Sequence, residues 1–195
     1  MHERLCRAWR TPRDRWDAIR RALVLLADHE LNASTFAARV TASTGASLAA
    51  AVLAGLCALS GPRHGGMAAR VEALADEAAR RDWRRALAAG EPPPRLRPRA
   101  HPDGDPRATA LLDAIEVAPD LAALRQEVEA ATGRRANVDF ALVALRRSLG
   151  LPAEASFALF ALARTAGWLA HAIEQITTGA LIRPRARYVG PPPVG

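Results

Sequence analysis

The chain of 195 residues is half hydrophobic and only 5% aromatic, a composition typical of a soluble, helix-rich protein with one substantial core or two small lobes. It carries a net charge of +7, and all 27 of its basic residues are arginines. These arginines are interleaved with Asp and Glu, which argues against a nucleic-acid-binding tract and favours small anionic ligands such as phosphates and carboxylates.

The hydrophobic pattern of the first 60 residues predicts three helices. The first begins with Thr11 as N-cap and Pro12 as first helical residue, and its apolar face is formed by Trp16, Ile19, Leu23 and Leu26. The second covers residues 32–44 and ends at Gly45. The third covers residues 47–60, with a predicted core stripe of Val52, Leu56 and Leu59.

The rest of the chain is also predicted to be helical. A long helix is expected at 67–89, with Val71, Leu74 and Ala78 facing inward. The segment 90–106 contains six prolines and two glycines and is predicted to be an extended loop. Further helices are expected near 106–116, 120–131, 137–149 and 154–176. Because no segment shows the alternating pattern of a strand, the predicted fold class is all-α.

The two cysteines indicate neither a metal site nor a redox pair. Cys6 and Cys57 are far apart in sequence, and Cys57 lies in an apolar run, which predicts a buried thiol in a reducing compartment. The first residues lack the apolar core of a secretion signal, and the apolar stretches contain polar residues too early to span a membrane. We therefore expect a cytoplasmic protein.

Five polar islands interrupt the alanine- and leucine-rich background. They are ADHELNAST (27–35), GPRHGG (61–66), HPDGDPRA (101–108), NVDFAL (137–142), and ARTAGWLAHAIEQ (163–175) followed by LIRPRARYVG (181–190). In this order and wording they resemble the citrate synthase family, especially its bacterial members, from about residue 12 to 190. The resemblance implies an all-α fold in which a small helical domain (63–152) is inserted between large-domain helices at 1–62 and 153–195.

Two histidines acquire roles through this resemblance. His29 by itself is interpreted as a hydrogen-bonded histidine at a helix end, whereas the resemblance implies that it contacts oxaloacetate. Asn32, Ser34 and Thr35 are interpreted as helix-capping residues. His64 lies between glycines ahead of a helix, where a neutral imidazole is favoured. The resemblance implies that His64 stabilises the enol of acetyl-CoA; the alternative is a turn histidine without a role.

The carboxylate and three arginines complete the implied site. Asp139 is flanked by Val138 and Phe140, and such flanks raise the pKa of a general base. By resemblance it deprotonates the acetyl methyl group; without the resemblance it is an ordinary Asp at a helix N-terminus. Arg107, Arg164 and Arg183 match arginines that bind the carboxylates of oxaloacetate. Arg164 also interrupts an apolar run, where a charge is paired or faces a ligand. Trp168 and His171 are interpreted as packing residues.

The segment RLRPRAHP (95–102) departs from the family pattern RLPGFGHP. Aligned without a gap, Pro98 takes the catalytic position and the enzyme would be impaired. Aligned with a deletion of about three residues after the histidine, which we prefer, His101 becomes the second catalytic histidine and polarises the ketone of oxaloacetate. The resemblance then places three arginines near coenzyme A phosphates, unless they are merely solvated: Arg95, Arg97 and Arg99.

Family members are longer, and the resemblance implies that the N-terminal half of the large domain is missing here. Helices 12–26 and 46–59 would then expose apolar faces. We expect a homodimer, in which Arg183 reaches the partner's site, or pairing with a chain that supplies the missing half.

The implied activity is condensation of oxaloacetate with acetyl-CoA to citrate and coenzyme A, with acetyl-CoA as co-substrate and no permanently bound cofactor or metal. The alternatives are 2-methylcitrate synthesis from propionyl-CoA and a truncated, catalytically impaired paralogue. The paralogue would bind oxaloacetate or act as one subunit with a second citrate synthase-like chain.

Overall fold

The computed structural model describes residues 1–78 and 104–190, and within these ranges it is helical without strands, which confirms the all-α prediction. A short 3-10 turn (Arg13–Arg15) precedes the second helix. The described α-helices are α1 (His2–Ala8), α2 (Trp16–Leu25), α3 (Ala33–Ser43), α4 (Leu48–Leu59), α5 (Met67–Ala78), α6 (Pro106–Leu112), α7 (Pro119–Thr132), α8 (Val138–Ser148) and α9 (Ala155–Thr178).

Polar side chains determine where several helices begin. Asn32 accepts a hydrogen bond from the backbone of Thr35, which confirms it as the N-cap of α3. Asp105 and Asn137 accept backbone N–H groups in the same way at the starts of α6 and α8. These caps place Arg107 and Asp139, two residues of the predicted site, in the first turns of α6 and α8.

The N-terminal region differs from the prediction. Helix α1 was not predicted, yet Cys6 within it is fully buried and packs into the main core with α2. Thr11 does not cap a helix: its hydroxyl is buried without a partner among the described residues, and its carbonyl accepts a hydrogen bond from Trp16 Nε1. A helix of seven residues is too short to form from its own propensity, so packing against α2 accounts for α1.

Buried apolar residues form two clusters. The larger one joins α1, α2 and α5–α8 with the start of α9, and Ile19, Val71 and Leu142 are fully buried in it. The smaller one joins α3, α4 and the middle of α9 around Trp168. The predicted apolar face of α2 is confirmed, because Ile19 and Leu26 are fully buried. The predicted domain boundaries at 62 and 152 stay a prediction.

The predicted core stripe of α4 is confirmed at Leu59, which is fully buried, and Val52 packs against the smaller cluster, but Leu56 is exposed. The other buried residues of α4 are Ala51 and Gly55. A Cβ atom on Gly55 would lie 2.7 Å from the Trp168 ring, so only glycine allows this approach. Because α4 is apolar on every side, its sequence pattern does not identify the inner face.

Cys57, which follows Leu56 on α4, is also exposed, so the prediction of a buried thiol at this position is wrong. The expected apolar surface is present: the exposed fractions of Val24 on α2 and of Leu53 on α4 are 62% and 60%.

Helix α9 is long and apolar enough to cross a membrane by length and composition, which the sequence reading did not expect. In the structure it contacts α2, α3, α4 and α8, and Arg164 lies near its middle. These contacts make α9 a core helix of the described fold.

Candidate functional site

His64 lies on the turn between α4 and α5, and the two glycines that follow it are required there. Gly65 donates its N–H to the carbonyl of Leu59, 2.8 Å away, and a Cβ on Gly65 would lie 2.3 Å from that same oxygen. A Cβ on Gly66 would lie 2.8 Å from the carbonyl oxygen of Pro62. The glycines therefore fold the turn tightly and hold the half-buried imidazole edge-on to the ring of Phe160, with 6.3 Å between ring centroids.

The Ser34 hydroxyl holds the imidazole of His64. Ser34 Oγ lies 2.8 Å from His64 Nε2, 2.9 Å from Asn32 Oδ1 and 3.1 Å from Trp168 Nε1. The indole can only donate, so the single hydroxyl hydrogen goes either to Asn32 or to His64. When it goes to His64 Nε2, the neutral imidazole carries its hydrogen on Nδ1, which can then donate to a ligand.

His64 is kept neutral by its surroundings. Burial lowers the pKa of His64, and the positive charge of Arg164 lowers it further. A neutral imidazole at this position can donate a hydrogen bond without acting as a strong acid, as the sequence predicts for His64.

Arg164 is the least satisfied polar group of the site. Its side chain is fully buried in α9, Nε donates to the carbonyl of Leu26 at 2.9 Å, and the guanidinium lies over the Phe160 ring at 5.0 Å. Both terminal nitrogens are buried without a hydrogen-bond partner among the described residues. Burial lowers the pKa of Arg164 to about 10, Arg107 adds to this effect, and Asp28 opposes it. A buried cation without partners is costly, and an anionic ligand would remove that cost.

Arg107 is held by the residue that caps its own helix. Its Nε and one terminal nitrogen donate to the two oxygens of Asp105, each at 2.9 Å. Asp105 is buried and also accepts the backbone N–H of Val138 at 3.1 Å, which joins the start of α6 to the start of α8. Burial acts to raise the pKa of Asp105, but its bonds to Arg107 and Val138 lower it on balance.

Asp139 lies in the first turn of α8, where Asn137 Nδ2 donates to its Oδ2 at 3.0 Å. Burial raises the pKa of Asp139 to about 6; the charge of Arg107 opposes this rise and that of Asp105 adds to it. A carboxylate with this pKa is mostly ionised at neutral pH yet holds a proton more readily than an exposed one, which suits a general base.

These charges place four of the predicted site residues near one another. The charge of Arg164 lowers the pKa of His64. The charge of Arg107 acts to lower the pKa of both Arg164 and Asp139. The site is thus built from the turn before α5 and from α6, α8 and α9.

Of the six other predicted positions, two are described by the structure and four lie outside the described residues. His29 is half-buried in the loop before α3, where its carbonyl accepts a hydrogen bond from Asn32 Nδ2 at 3.4 Å. Arg183 is exposed on the segment after α9. The second catalytic histidine, His101, and the three predicted coenzyme A contacts lie outside the described residues: Arg95, Arg97 and Arg99.

The sequence reading missed two contacts of the site. Ser34 was interpreted as a capping residue and Trp168 as a packing residue, yet they bond to each other and orient His64. The signal was present for Trp168, which follows Arg164 by one helical turn and so lies on the same face of α9.

A cleft between α7 and α8 lies beside Asn137, the cap of the helix that carries Asp139. Its volume is only about 30 Å³, its walls are mostly apolar, and three arginines line it together with Glu129: Arg125, Arg134 and Arg135. The sequence reading did not identify this cleft.

Comparison with known proteins gives a consistent result. Residues 1–185 match the family model described as citrate synthase, C-terminal domain. The chain is 41% identical over 194 residues to a protein of Mycobacterium tuberculosis called putative citrate synthase 2, covering 91% of this chain and 52% of that protein. It is 34% identical to a 2-methylcitrate synthase of the same organism, covering 89% and 48%. The chain thus spans about half the length of the curated relatives it matches.

Two solved structures share the fold. One is citrate synthase from Thermoplasma acidophilum, solved as a ternary complex with carboxymethyl coenzyme A and oxaloacetate. It superposes with a TM-score of 0.75 at 31% identity, covering 95% of this chain and 55% of that one. Citryl-CoA lyase from Hydrogenobacter thermophilus gives a TM-score of 0.77 at 27% identity, covering 94% of this chain and 80% of that one.

Proposed function

Because the chain belongs to the citrate synthase family, we propose that it condenses oxaloacetate with acetyl-CoA to give citrate and coenzyme A. The observation that carries this proposal is Arg164, a fully buried guanidinium whose two terminal nitrogens have no partner among the described residues. Its fork geometry matches a carboxylate, and Arg107, although paired with Asp105, lies close enough to affect it. We propose that Arg164 binds one carboxylate of oxaloacetate and that the remaining donors of Arg107 reach the other.

The chemistry follows from the two groups near these arginines. Asp139 takes a proton from the methyl group of the thioester, while the neutral His64 donates a hydrogen bond to the carbonyl oxygen that becomes the enol. The enol carbon then bonds to the ketone carbon of oxaloacetate, whose oxygen takes up a proton. We assign polarisation of that ketone to His101 and contacts to the oxaloacetate carboxylates to Arg107, Arg164, Arg183 and His29. Water then cleaves the thioester and releases coenzyme A as a thiol.

The experiment is an assay of thiol release from acetyl-CoA in the presence of oxaloacetate, with the variant Asp139→Ala. We expect turnover to fall by roughly 100- to 10,000-fold, which is the contribution of a general base, while oxaloacetate still binds. The matched control is Asp113→Ala, which removes an exposed carboxylate at the end of α6. Wild-type turnover in Asp139→Ala would contradict the mechanism.

The choice of acyl group is a finer proposal. Relatives include both citrate and 2-methylcitrate synthases, at 41% and 34% identity, and we favour acetyl-CoA on that difference. The ratio of kcat/KM for acetyl-CoA to that for propionyl-CoA decides it.

Cleavage of citryl-CoA to oxaloacetate and acetyl-CoA is a second candidate. This chain covers 80% of the citryl-CoA lyase of Hydrogenobacter thermophilus but 55% of the citrate synthase of Thermoplasma acidophilum. The cleavage is the carbon–carbon bond-forming step in reverse, so the same side chains serve it. Incubation with citryl-CoA separates the two: a lyase releases oxaloacetate, whereas a synthase releases citrate.

We propose that the working form is a homodimer. Val24, Leu53 and Leu56 are exposed apolar residues, and Arg183 is exposed on the segment after α9, as expected for a residue that acts in a partner's site. Light scattering measures the mass in solution, and Arg183→Ala should lower activity without changing that mass. A fully active monomer would contradict the proposal. Activity that appears only with a second citrate synthase-like chain would favour the paired-subunit alternative.

A further inference from the structure

His171, which the sequence reading assigned to packing, bridges two other elements of the fold. It lies on α9 seven residues after Arg164, so both project from the same face of the helix. Its Nδ1 lies 3.0 Å from Nη1 of Arg39 on α3, and its Nε2 lies 3.2 Å from Oδ1 of Asp28 in the loop before α3. One imidazole thus joins α3, α9 and the loop that carries His29.

The two contacts fix the proton of His171. A guanidinium can only donate, so Nδ1 of His171 accepts the hydrogen bond from Arg39. The neutral ring then carries its hydrogen on Nε2 and donates it to Asp28. Both ring nitrogens are engaged, which leaves the imidazole a single orientation.

Arg39 is itself anchored to α9. Its Nε donates to Oε1 of Gln175 at 3.2 Å, and its Nη1 also donates to the carboxylate of Glu174. Arg39 is therefore held by two neighbours of His171, so its guanidinium is a fixed donor.

Asp28 connects His171 to the backbone of the loop before α3, which carries His29. Its second carboxylate oxygen accepts the backbone N–H of Glu30 at 3.3 Å, and Glu30 has a φ of +51°, a left-handed conformation that is unusual for a residue with a side chain. His29 lies between these two residues. The loop also rests directly on α9, since a Cβ on Gly167 would lie 2.2 Å from the carbonyl oxygen of Ala27.

We propose that His171 is a positioning residue for the oxaloacetate side of the site. By holding the carboxylate of Asp28, it fixes the left-handed turn at Glu30 that presents His29. The role in substrate binding rests on the function proposed above, whereas the control of the loop does not.

The test uses two variants that each keep one half of the bridge. In His171→Gln the amide nitrogen takes the place of Nε2 and can still donate to Asp28. In His171→Asn the amide oxygen takes the place of Nδ1 and accepts from Arg39, but the contact with Asp28 is lost. Both remove the ring, so a general packing effect lowers the melting temperature of both alike.

The first measurement is hydrogen–deuterium exchange of the backbone amides in residues 28–32 of the full chain without ligand. We expect faster exchange in His171→Asn and wild-type exchange in His171→Gln. Equal exchange in the two variants, whether fast or slow, overturns the proposal, and this result does not depend on catalysis.

The second measurement is steady-state kinetics with oxaloacetate. Loss of one hydrogen bond to a charged group predicts a KM for oxaloacetate roughly tenfold higher in His171→Asn, with kcat nearly unchanged, and a near wild-type KM in His171→Gln. Equal KM values in the two variants overturn the role in binding. A wild-type chain that does not use oxaloacetate would instead refute the proposed function, while the exchange result still decides whether His171 controls the loop.

Discussion

The arginines at the end of α8 and the one in the middle of α9 differ in how completely the fold satisfies their guanidinium groups. Near the end of α8, Arg146 and Arg147 both donate to Glu72 of α5, and Arg147 also donates to Asp76. In α9, Arg164 is fully buried, and its two terminal nitrogens have no partner among the described residues. The first pair joins two helices, whereas Arg164 has hydrogen-bonding capacity left for the anion that we propose it binds.

The comparison has a physical basis in the cost of burial. The bonds to Glu72 and Asp76 raise the pKa of Arg147 despite a desolvation penalty, so the folded protein favours its charged form. Burial lowers the pKa of Arg164 to about 10, so folding disfavours its charged form. Residues that a fold keeps at such a cost are characteristic of functional sites.

The largest expected effect is on catalysis by Arg164→Met. Removing the carboxylate-binding fork should lower kcat/KM for oxaloacetate by roughly 100- to 1,000-fold, since a hydrogen-bonded charge pair is worth several kcal/mol in a desolvated site. The measurement is initial rates at varied oxaloacetate. Arg147→Met is the matched control. A comparable loss of kcat/KM in that variant would contradict the distinction between Arg147 and Arg164.

The next effect concerns stability and Asp139. Its folded pKa of about 6 lies above the ordinary value of 3.8, so folding is penalised above pH 6 by roughly 3 kcal/mol, and the penalty vanishes below pH 4, where both states are protonated. Asp139→Asn should therefore be more stable than wild type at pH 8 and equal to it at pH 4. Urea unfolding at both pH values tests this; a variant less stable at pH 8 would refute it.

A smaller effect is expected from Ser34→Ala, which removes the hydroxyl shared by His64 and Trp168. Loss of one hydrogen bond that orients the imidazole should lower kcat roughly tenfold while leaving the KM for oxaloacetate within about twofold. Thr41→Ala is the control, because its hydroxyl bonds only within α3, to the carbonyl of Ala37. An unchanged kcat in Ser34→Ala would show that Ser34 does not orient His64.

The smallest effect is the loss of stability in Arg147→Met. Its side chain is only 18% exposed, as is that of Glu72, so we expect the free energy of unfolding to fall by about 1–2 kcal/mol. Arg164→Met should leave the free energy of unfolding unchanged or raise it, because it removes an unpaired buried charge. Urea unfolding of both variants measures these free energies. A larger loss of unfolding free energy in Arg164→Met than in Arg147→Met would contradict the distinction between the two arginines.

The helices were predictable wherever local chemistry specifies them. Asn32 predicts the start of α3 because it is a strong N-cap residue. The helical spacing of apolar residues in α2 predicts Ile19 and Leu26 as core residues. Helix α1 was missed because tertiary packing, and not its own propensity, stabilises seven residues. On α4, Leu59 was assigned to the core correctly and Leu56 wrongly, because Gly55 packs against Trp168, a contact that no periodicity reveals.

Two residues of the predicted site are conspicuous in the sequence itself, whereas the roles of Asp139 and Arg107 came only from the family resemblance. Arg164 stands in an apolar run, and His64 stands between glycines. The residues that orient them were not predictable, because their partners are distant in sequence: Ser34 lies 30 positions from His64, and His171 lies 143 from Asp28. Such contacts depend on how α3, α9 and the two loops pack.

The central claim is that Arg164 binds a carboxylate of oxaloacetate, and calorimetric titration of oxaloacetate into the full chain measures this directly. Wild type and Arg147→Met should bind with similar affinity, whereas Arg164→Met should show no measurable binding while remaining folded. Binding of oxaloacetate to Arg164→Met with wild-type affinity would contradict the account.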